Sequence, residues 1–463
     1  PRKNSTKMNE SEPVDLTPVE QSNWWKDKKT VSGLVLVLAV TFGVMFPCLD
    51  NDFVIWDDNL NVYENKYVQN LTLGNVKAIF TSHVGGNYNP LSILSFAVEH
   101  HFYGFNPYYY HRDNLLLHLT CTLLVFWLMV LFGVRIPWAL FITLLFGIHP
   151  MRVESVAWVT ERKDVLFGLF YLAALVGYTS YRKTGKRVGL VLAFLFFLPA
   201  LLSKIQAVSL PLSMLCIDYY LGKPMGLRRI IEKTPFFLLS LIIGLIGIYF
   251  LQEQASLNSI TFSAVERVLI GTYTLCVFLV KSVFPYEISA IYNFPKSGEL
   301  SWIMYLSPIG IGAVAWSVFR SARVSRKGMF GIAFFFFNVI FLLQVVNAGQ
   351  GFLANRFTYI PYIGLFFAYG CGLEWVWEYR KKLRPVVLCV VVLVSGAYGF
   401  TSWNGTKIWK NTETLFTDVL QKYPNNSIAL NNRGIVYAER GEFDKALADF
   451  HKGIYFDPKC VEL

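Results

Sequence analysis

Apolar residues in this chain fall into long runs separated by short polar breaks. The first run, 31–49, is uncharged and close to the length a membrane-crossing helix needs. Eleven more follow at 114–134, 136–149, 165–181, 188–202, 205–221, 235–251, 266–284, 303–320, 329–347, 357–376 and 384–402. The pattern predicts an all-α polytopic membrane protein. Residues 1–29 lack a hydrophobic pattern and end in Lys26, Lys28 and Lys29. They read as a disordered cytosolic tail ahead of a signal anchor. The transmembrane domain is expected over 30–403, with 50–113 as a long polar and aromatic loop.

The polar breaks set an orientation. Basic clusters occur at 181–187, at Lys223 with Arg228 and Arg229, at 320–327 and at 380–384. The positive-inside rule puts all four on the cytosolic side with the tail. Between the second and third clusters lie three runs, an odd number. One of 235–251, 266–284 and 303–320 should therefore not cross, which gives about 11 transmembrane helices and a C-terminus on the other face. That face then collects 50–113, 149–164, the turn at Ser203 and Lys204, and 347–356.

The pattern changes after residue 403. Pro424 and Pro458 stand one tetratricopeptide period apart, as do Phe416 and Phe450. Gly434, Tyr437, Ala446 and Phe450 occupy the repeat's packing positions, and Gly441 supplies the turn between its helices. Residues 404–463 thus read as a tetratricopeptide region on the outside face, with one full unit and a preceding half-unit. One unit cannot bury its apolar face alone, so further repeats are expected. Such a surface suits a protein or peptide partner.

Composition agrees: 54% hydrophobic, 16% aromatic and only 16% charged, with mean hydropathy +0.42. The net charge of +11 lies in the loops that topology accounts for, and a soluble nucleic-acid binder is excluded. Four cysteines (Cys121, Cys216, Cys276 and Cys389) sit inside apolar runs and read as buried hydrophobes. No spacing of metal ligands occurs.

Charged residues within apolar surroundings are the candidates for chemistry. Asp57 and Asp58 are adjacent carboxylates just past the first run, placed for general-base work on a hydroxyl. Lys204 interrupts an almost continuous apolar stretch, and Arg356 stands at the edge of another. Cations at that depth suit a lipid-linked phosphate. From His149 and Pro150 onward, Glu154, Trp158, Glu161 and Arg162 recur at helical spacing, which predicts an amphipathic helix along the membrane surface.

Several strings carry a family resemblance. They are Phe53-Val-Ile-Trp-Asp57-Asp58, Pro90-Leu with Ser95-Phe96, and His111 with Asn114 and His118. His149-Pro150 with Glu154 and Ala157, Arg162-Lys-Asp164, Lys204 with Gln206, and Arg356 with Tyr359, Pro361 and Gly364 complete the set. Together with the repeat, over most of residues 45–460, the chain resembles the transmembrane and tetratricopeptide-repeat O-mannosyltransferases and their bacterial relatives. That family belongs to the GT-C class of polyprenyl-phosphate-sugar-dependent glycosyltransferases. Asn89, Arg152 and Asn355 depart from residues common in the animal enzymes.

The resemblance implies a GT-C-type bundle and an inverting transfer of a mannose-like hexose. The sugar would move from a polyprenyl- or dolichyl-phosphate donor to a hydroxyl of a protein or glycan acceptor. Asp57 or Asp58 would be the base, and Arg356 with Lys204 would hold the donor phosphate. His111, His149, Glu154, Arg162 and Asp164 would line or brace the cavity. It implies no organic cofactor and leaves a divalent metal undecided. The location would be a bacterial inner membrane with a periplasmic site, or the endoplasmic-reticulum membrane with a luminal one. Two other readings compete: a transporter or flippase of lipid-linked sugars, and a membrane-anchored tetratricopeptide scaffold.

Overall fold

The computed structural model describes residues 24–223, 226–255, 262–293, 295, 298–322, 325–343 and 353–458. Most of the expected tail, and the first part of the expected loop at 347–356, lie outside them. Among the described residues there is no strand, only an isolated bridge between Val84 and Asn87. In hydrocarbon each helix satisfies its own backbone, so apolar runs of this length become helices.

The chain opens with α1 (Lys28–Met45), capped by the Asp27 carboxylate, which accepts from the Lys29 and Thr30 backbone N–H groups. The first loop is not irregular throughout. It holds α2 (Leu73–Thr81) and α3 (Pro90–Tyr103), and α4 (Pro107–Leu131) begins inside it. Next come α5 (Ile136–Ile148), the short α6 (Val153–Ala157), α7 (Arg162–Thr184), α8 (Arg187–Ser203) and α9 (Leu210–Tyr220). Then α10 (Leu227–Ala255), α11 (Ala264–Lys281), α12 (Trp302–Ala322), α13 (Arg326–Val339), α14 (Tyr362–Tyr379) and α15 (Arg384–Ile408) complete the apolar part. Each predicted apolar run contains a helix within its described residues. Prolines open α3, α4, α5, α9 and α15, where the missing N–H costs nothing.

The chain is a multi-pass membrane protein. Five described helical stretches are long and apolar enough to cross a membrane alone, and six if α5 and the Pro150–Ala157 segment, bent by 53°, form one broken span. Glycines let the helices approach. Any side chain at Gly331 of α13 would strike the Gly364 carbonyl of α14, and the reverse holds at Gly364. Cys121 and Cys216 are buried as expected and Cys276 is half-buried, but Cys389 faces outward on α15.

The two ends of the bundle differ. At one end Asp218 binds Arg182 and Lys233, both at 2.5 Å, and Arg326 reaches Gly222. Arg135 pairs with Glu374 at 3.7 Å there as well. Arg182, Lys233, Arg326 and Arg135 thus gather at one end. Lys204 and Arg356 lie at the other.

Gly247 of α10 lies against Ile205, next to Lys204, and Phe250 meets His83 and Tyr88 of the first loop at 5.0 and 5.7 Å. So α10, about 43 Å long by helical rise, ends on the Lys204 side. The last residue of α11, Lys281, donates to the Tyr292 hydroxyl at 2.8 Å, and Tyr292 in turn donates to Asn355 Oδ1 at 2.7 Å. The C-terminal end of α11 therefore lies on the same side as the end of α10.

The C-terminal part contains α16 (Thr412–Lys422), α17 (Ser427–Glu439) and α18 (Phe443–Phe456). Gly441, at φ 76°, makes the turn before α18. A Cβ at Gly434 would stand 2.5 Å from the Phe450 ring, so α17 and α18 touch there. Phe416 is fully buried beneath them. The region docks on the Lys204 end: Lys422 Nζ donates to the Ile288 carbonyl at 2.6 Å, and the Asn426 amide donates to Asn293 Oδ1 at 2.7 Å.

Candidate active site

Residues 149–164 are not an amphipathic helix on the membrane surface. The chain makes a turn at 150–152, the short α6, an extended residue at Trp158 and another turn at 159–161 before α7 starts. All but one of these residues are buried. The charges lie at helical spacing, yet each is matched by a distant part of the protein rather than by lipid headgroups. A buried charge is tolerable only with such a partner.

Glu154 on α6 accepts from the Arg356 guanidinium through one oxygen and from the Asn355 N–H, at 3.1 Å, through the other. Arg356 Nε also lies 3.2 Å from Glu161. Glu161 further meets Lys163 at 3.1 Å and Lys204 at 3.4 Å. Lys204 pairs with Asp164 as well, whose second oxygen accepts from the Ser155 hydroxyl at 3.0 Å. Arg356, Lys163 and Lys204 thus surround Glu154, Glu161 and Asp164.

Exposure distinguishes the two sets. The carboxylate side chains are at most 2% exposed, whereas Arg356 keeps 15%, Lys163 13% and Lys204 9%. The cations form the rim and the carboxylates back them. Burial works against the charge on Arg356, but Glu161 and Glu154 outweigh it and hold its pKa above the ordinary arginine range.

Trp158 connects this cluster to the aspartate pair. The Arg356 guanidinium lies 5.5 Å from its ring and the Lys163 ammonium 5.9 Å. Trp56, the neighbour of Asp57, stacks on it, and Trp409 of the segment after α15 lies 5.3 Å from it. The two sequence-predicted groups, the acid pair and the cations, therefore meet at one end of the bundle.

Within the pair the two carboxylates differ. Asp58 is fully buried and spent: one oxygen accepts from the Thr160 N–H at 2.9 Å and hydroxyl at 2.5 Å, the other from the Val54 N–H at 2.9 Å. Burial raises its pKa to about 6 against those bonds. Asp57 is half-buried, and its side chain makes no hydrogen bond or ion pair with a described residue. It stands near enough to act on the Lys163 charge. A single π-helical turn, Asn59–Tyr63, follows and is tied back by the Asn61 amide, which donates to the Asp57 carbonyl at 2.8 Å.

The remaining predicted residues brace rather than line. His111 Nε2 lies 3.4 Å from the Asp52 carbonyl. His149 accepts from the Met151 N–H at 3.2 Å and is enclosed by Tyr362, Phe366 and Tyr398. Arg162 faces away from the cluster. It binds Glu99 at 2.7 Å and the Tyr110 carbonyl at 2.8 Å, and it donates to Asn114, so it joins α3, α4 and α7. Arg152, at a departing position, donates to the Thr358 carbonyl at 2.9 Å and lies against the rings of Tyr359 and Tyr362. Sequence reasoning did not assign a site role to Glu161, Lys163 or Trp158. The available signal was four consecutive charges, 161–164, opening an apolar helix. Among the described residues no group of three or more His, Cys, Asp or Glu could hold a metal ion.

Comparison with known proteins adds the following. The tetratricopeptide repeat family matches residues 427–460. Protein O-mannosyl-transferase TMTC3 of Homo sapiens is 22% identical over 92% of this chain and 52% of its own length. Protein O-mannosyl-transferase F38B6.6 of Caenorhabditis elegans is 22% identical over 96% of this chain and 65% of its own. Protein O-mannosyl-transferase TMTC4 of Mus musculus reaches 34% identity over 30% of this chain and 22% of its own. The chain spans 52% of the length of the human relative. No solved structure matches. Along almost its whole length the chain is thus similar to proteins named protein O-mannosyl-transferases, and its C-terminal part matches the tetratricopeptide repeat family.

Proposed function

We propose that the chain is the transferring part of a membrane glycosyltransferase of the GT-C class. It moves a mannose-like hexose from a polyprenyl- or dolichyl-phosphate to a hydroxyl of a protein or glycan acceptor on the non-cytosolic face. The relatives' names support the sugar and the protein acceptor. The observation that carries the reading is the placement of Asp57: an unengaged carboxylate next to Trp56, one stacked ring from a rim of three cations.

In this reading the donor phosphate rests on the outward faces of Arg356, Lys204 and Lys163. Asp57 takes the acceptor's hydroxyl proton as the oxygen bonds to the anomeric carbon. The bond from that carbon to the phosphate oxygen breaks, with inversion, and the lipid phosphate leaves with one more negative charge. The cations stabilise that growing charge, which is where fixed electrostatics contribute most. Glu154 and Glu161 keep the Arg356 fork aimed.

The test is transfer by membranes supplied with a polyprenyl-phosphate hexose. Asp57→Asn should lower turnover by about 10²–10⁴-fold, the range for loss of a general base, with donor binding retained. Turnover at the wild-type rate by Asp57→Asn would remove the base and the reading with it.

A further inference from the structure

An open cleft of about 370 Å³ separates the first loop from the start of the tetratricopeptide region. Its apolar walls are Phe53, Ile55, Tyr63, Phe105 and Val436. Its charged rim is Asp52, Glu413 and Glu439, against one cation, Arg440. Arg440 is taken by Glu413 at 2.5 Å, and no described cation forms an ion pair with Asp52 or Glu439 at the rim. The negative field is felt by Tyr63, whose phenol is pushed up to about 12 by burial and then by Glu64, Asp58, Glu439 and Asp52.

The strip 52–57 forms the wall between this cleft and the cation cluster. Its side chains alternate. Val54 is buried in the core and Trp56 stacks on Trp158, while Phe53 and Ile55 face the cleft. Asp57 stands where the strip ends. The strip's backbone donors are already used: the Asp52 N–H by the Lys410 carbonyl, Phe53 by the Asp52 carboxylate, Val54 by Asp58 and Ile55 by the Thr412 hydroxyl. With these donors used, full strand addition is blocked and a ligand here is read mainly through its side chains.

We propose that this cleft holds an extended segment of the protein acceptor, carrying basic and apolar side chains, and leads its hydroxyl along the strip to Asp57. The proposal rests on the transferase reading for the last step and on the cleft alone for binding. Apolar side chains fill the space between Phe53, Ile55, Phe105 and Val436. Basic ones answer Asp52 and Glu439.

The experiment uses the full chain in detergent and a fluorescein-labelled peptide alternating lysine, valine and threonine, with a second peptide in which glutamate replaces lysine. Fluorescence anisotropy should show the lysine peptide binding, and the glutamate peptide at least about tenfold weaker. Asp52→Lys with Glu439→Lys should weaken the lysine peptide by about tenfold or more. The milder pair Asp52→Asn with Glu439→Gln should fall between, and an unchanged melting temperature verifies the fold. Equal binding of both peptides, or lysine-peptide binding indifferent to both double variants, overturns the proposal. Peptide binding with no sugar transfer by any preparation would remove the transferase reading and leave the cleft. Transfer at an unchanged KM for the lysine peptide in the doubly reversed variant would do the opposite.

Discussion

Trp56 lies flat against Trp158, ring centroids 4.3 Å apart and planes within 11°. This contact fixes the distance between the acid of the first loop and the cations over the charged turn. A stacked aromatic pair contributes about 0.5–1.5 kcal/mol beyond its buried area. Trp56→Ala should therefore cost more in turnover than in folding, because Asp57 loses its place while the helices remain. Trp56→Phe should restore part of it. The comparison to make is kcat and melting temperature in the same preparation. A parallel fall in both would assign the stack to stability alone.

Asp58 should behave differently from its neighbour. Asp58→Ala leaves the Val54 and Thr160 N–H groups without their acceptor, at about 1–3 kcal/mol for a buried donor unsatisfied. The expected outcome is a lower unfolding temperature and faster proteolysis of the first loop. Asp58→Asn, which keeps one acceptor oxygen, should lie nearer wild type and retain transfer. Loss of transfer by Asp58→Asn with an unchanged melt would make Asp58 the reacting acid instead.

Arg356 holds two buried carboxylates. Arg356→Ala leaves Glu154 without its cation and Glu161 short of one, and breaking a buried pair costs about 3–5 kcal/mol. Arg356→Lys keeps the charge but not the fork, so it should fold and show weaker donor binding. Glu154→Gln should leave Arg356 charged and badly aimed, lowering kcat more than it raises KM for the donor. These are read from donor titrations at saturating acceptor. An Arg356→Lys variant with wild-type donor affinity would place the phosphate elsewhere.

Stability should depend on pH through Glu99 and Asp58. Burial raises Glu99 from 4.5 to about 8, with the neighbouring Asp113 adding to the rise and Arg162 opposing it. Below about pH 8 the Glu99 carboxyl thus keeps its proton although a guanidinium lies beside it. A group whose pKa is raised on folding stabilises the fold fully below its unfolded value and loses that contribution as pH climbs through the folded one. The contribution of Asp58 should go between about pH 4 and 6, and that of Glu99 between about 4.5 and 8. Melting curves of Glu99→Gln across this window should be flatter than wild type. Identical slopes would show that Glu99 is ionised in the fold.

The helices were legible because lipid leaves the backbone no alternative, and each apolar run from 31–49 to 384–402 contains one within its described residues. The repeat was legible because Gly434 and Phe450 need each other at a fixed spacing, and the structure puts them in contact. What misled was 149–164. Periodicity sees only neighbours on one helix, while Glu154 answers to Arg356, Glu161 to Lys204 and Arg162 to Glu99, all remote in sequence. The same limit hid the difference between Asp57 and Asp58, which depends on Thr160. The helices α2 and α3 were missed because the loop's polar and aromatic residues alternate without a long apolar run.

Three hydrogen bonds moor the first loop to the far end of the chain: the Asn51 amide to the Thr406 carbonyl, the Asp52 N–H to Lys410 and the Ile55 N–H to Thr412. The repeats are accordingly no loose appendage. A pull on α16 has leverage on the very strip that ends at Asp57. Movement of α16 and the position of the Asp57 carboxylate are thereby mechanically linked.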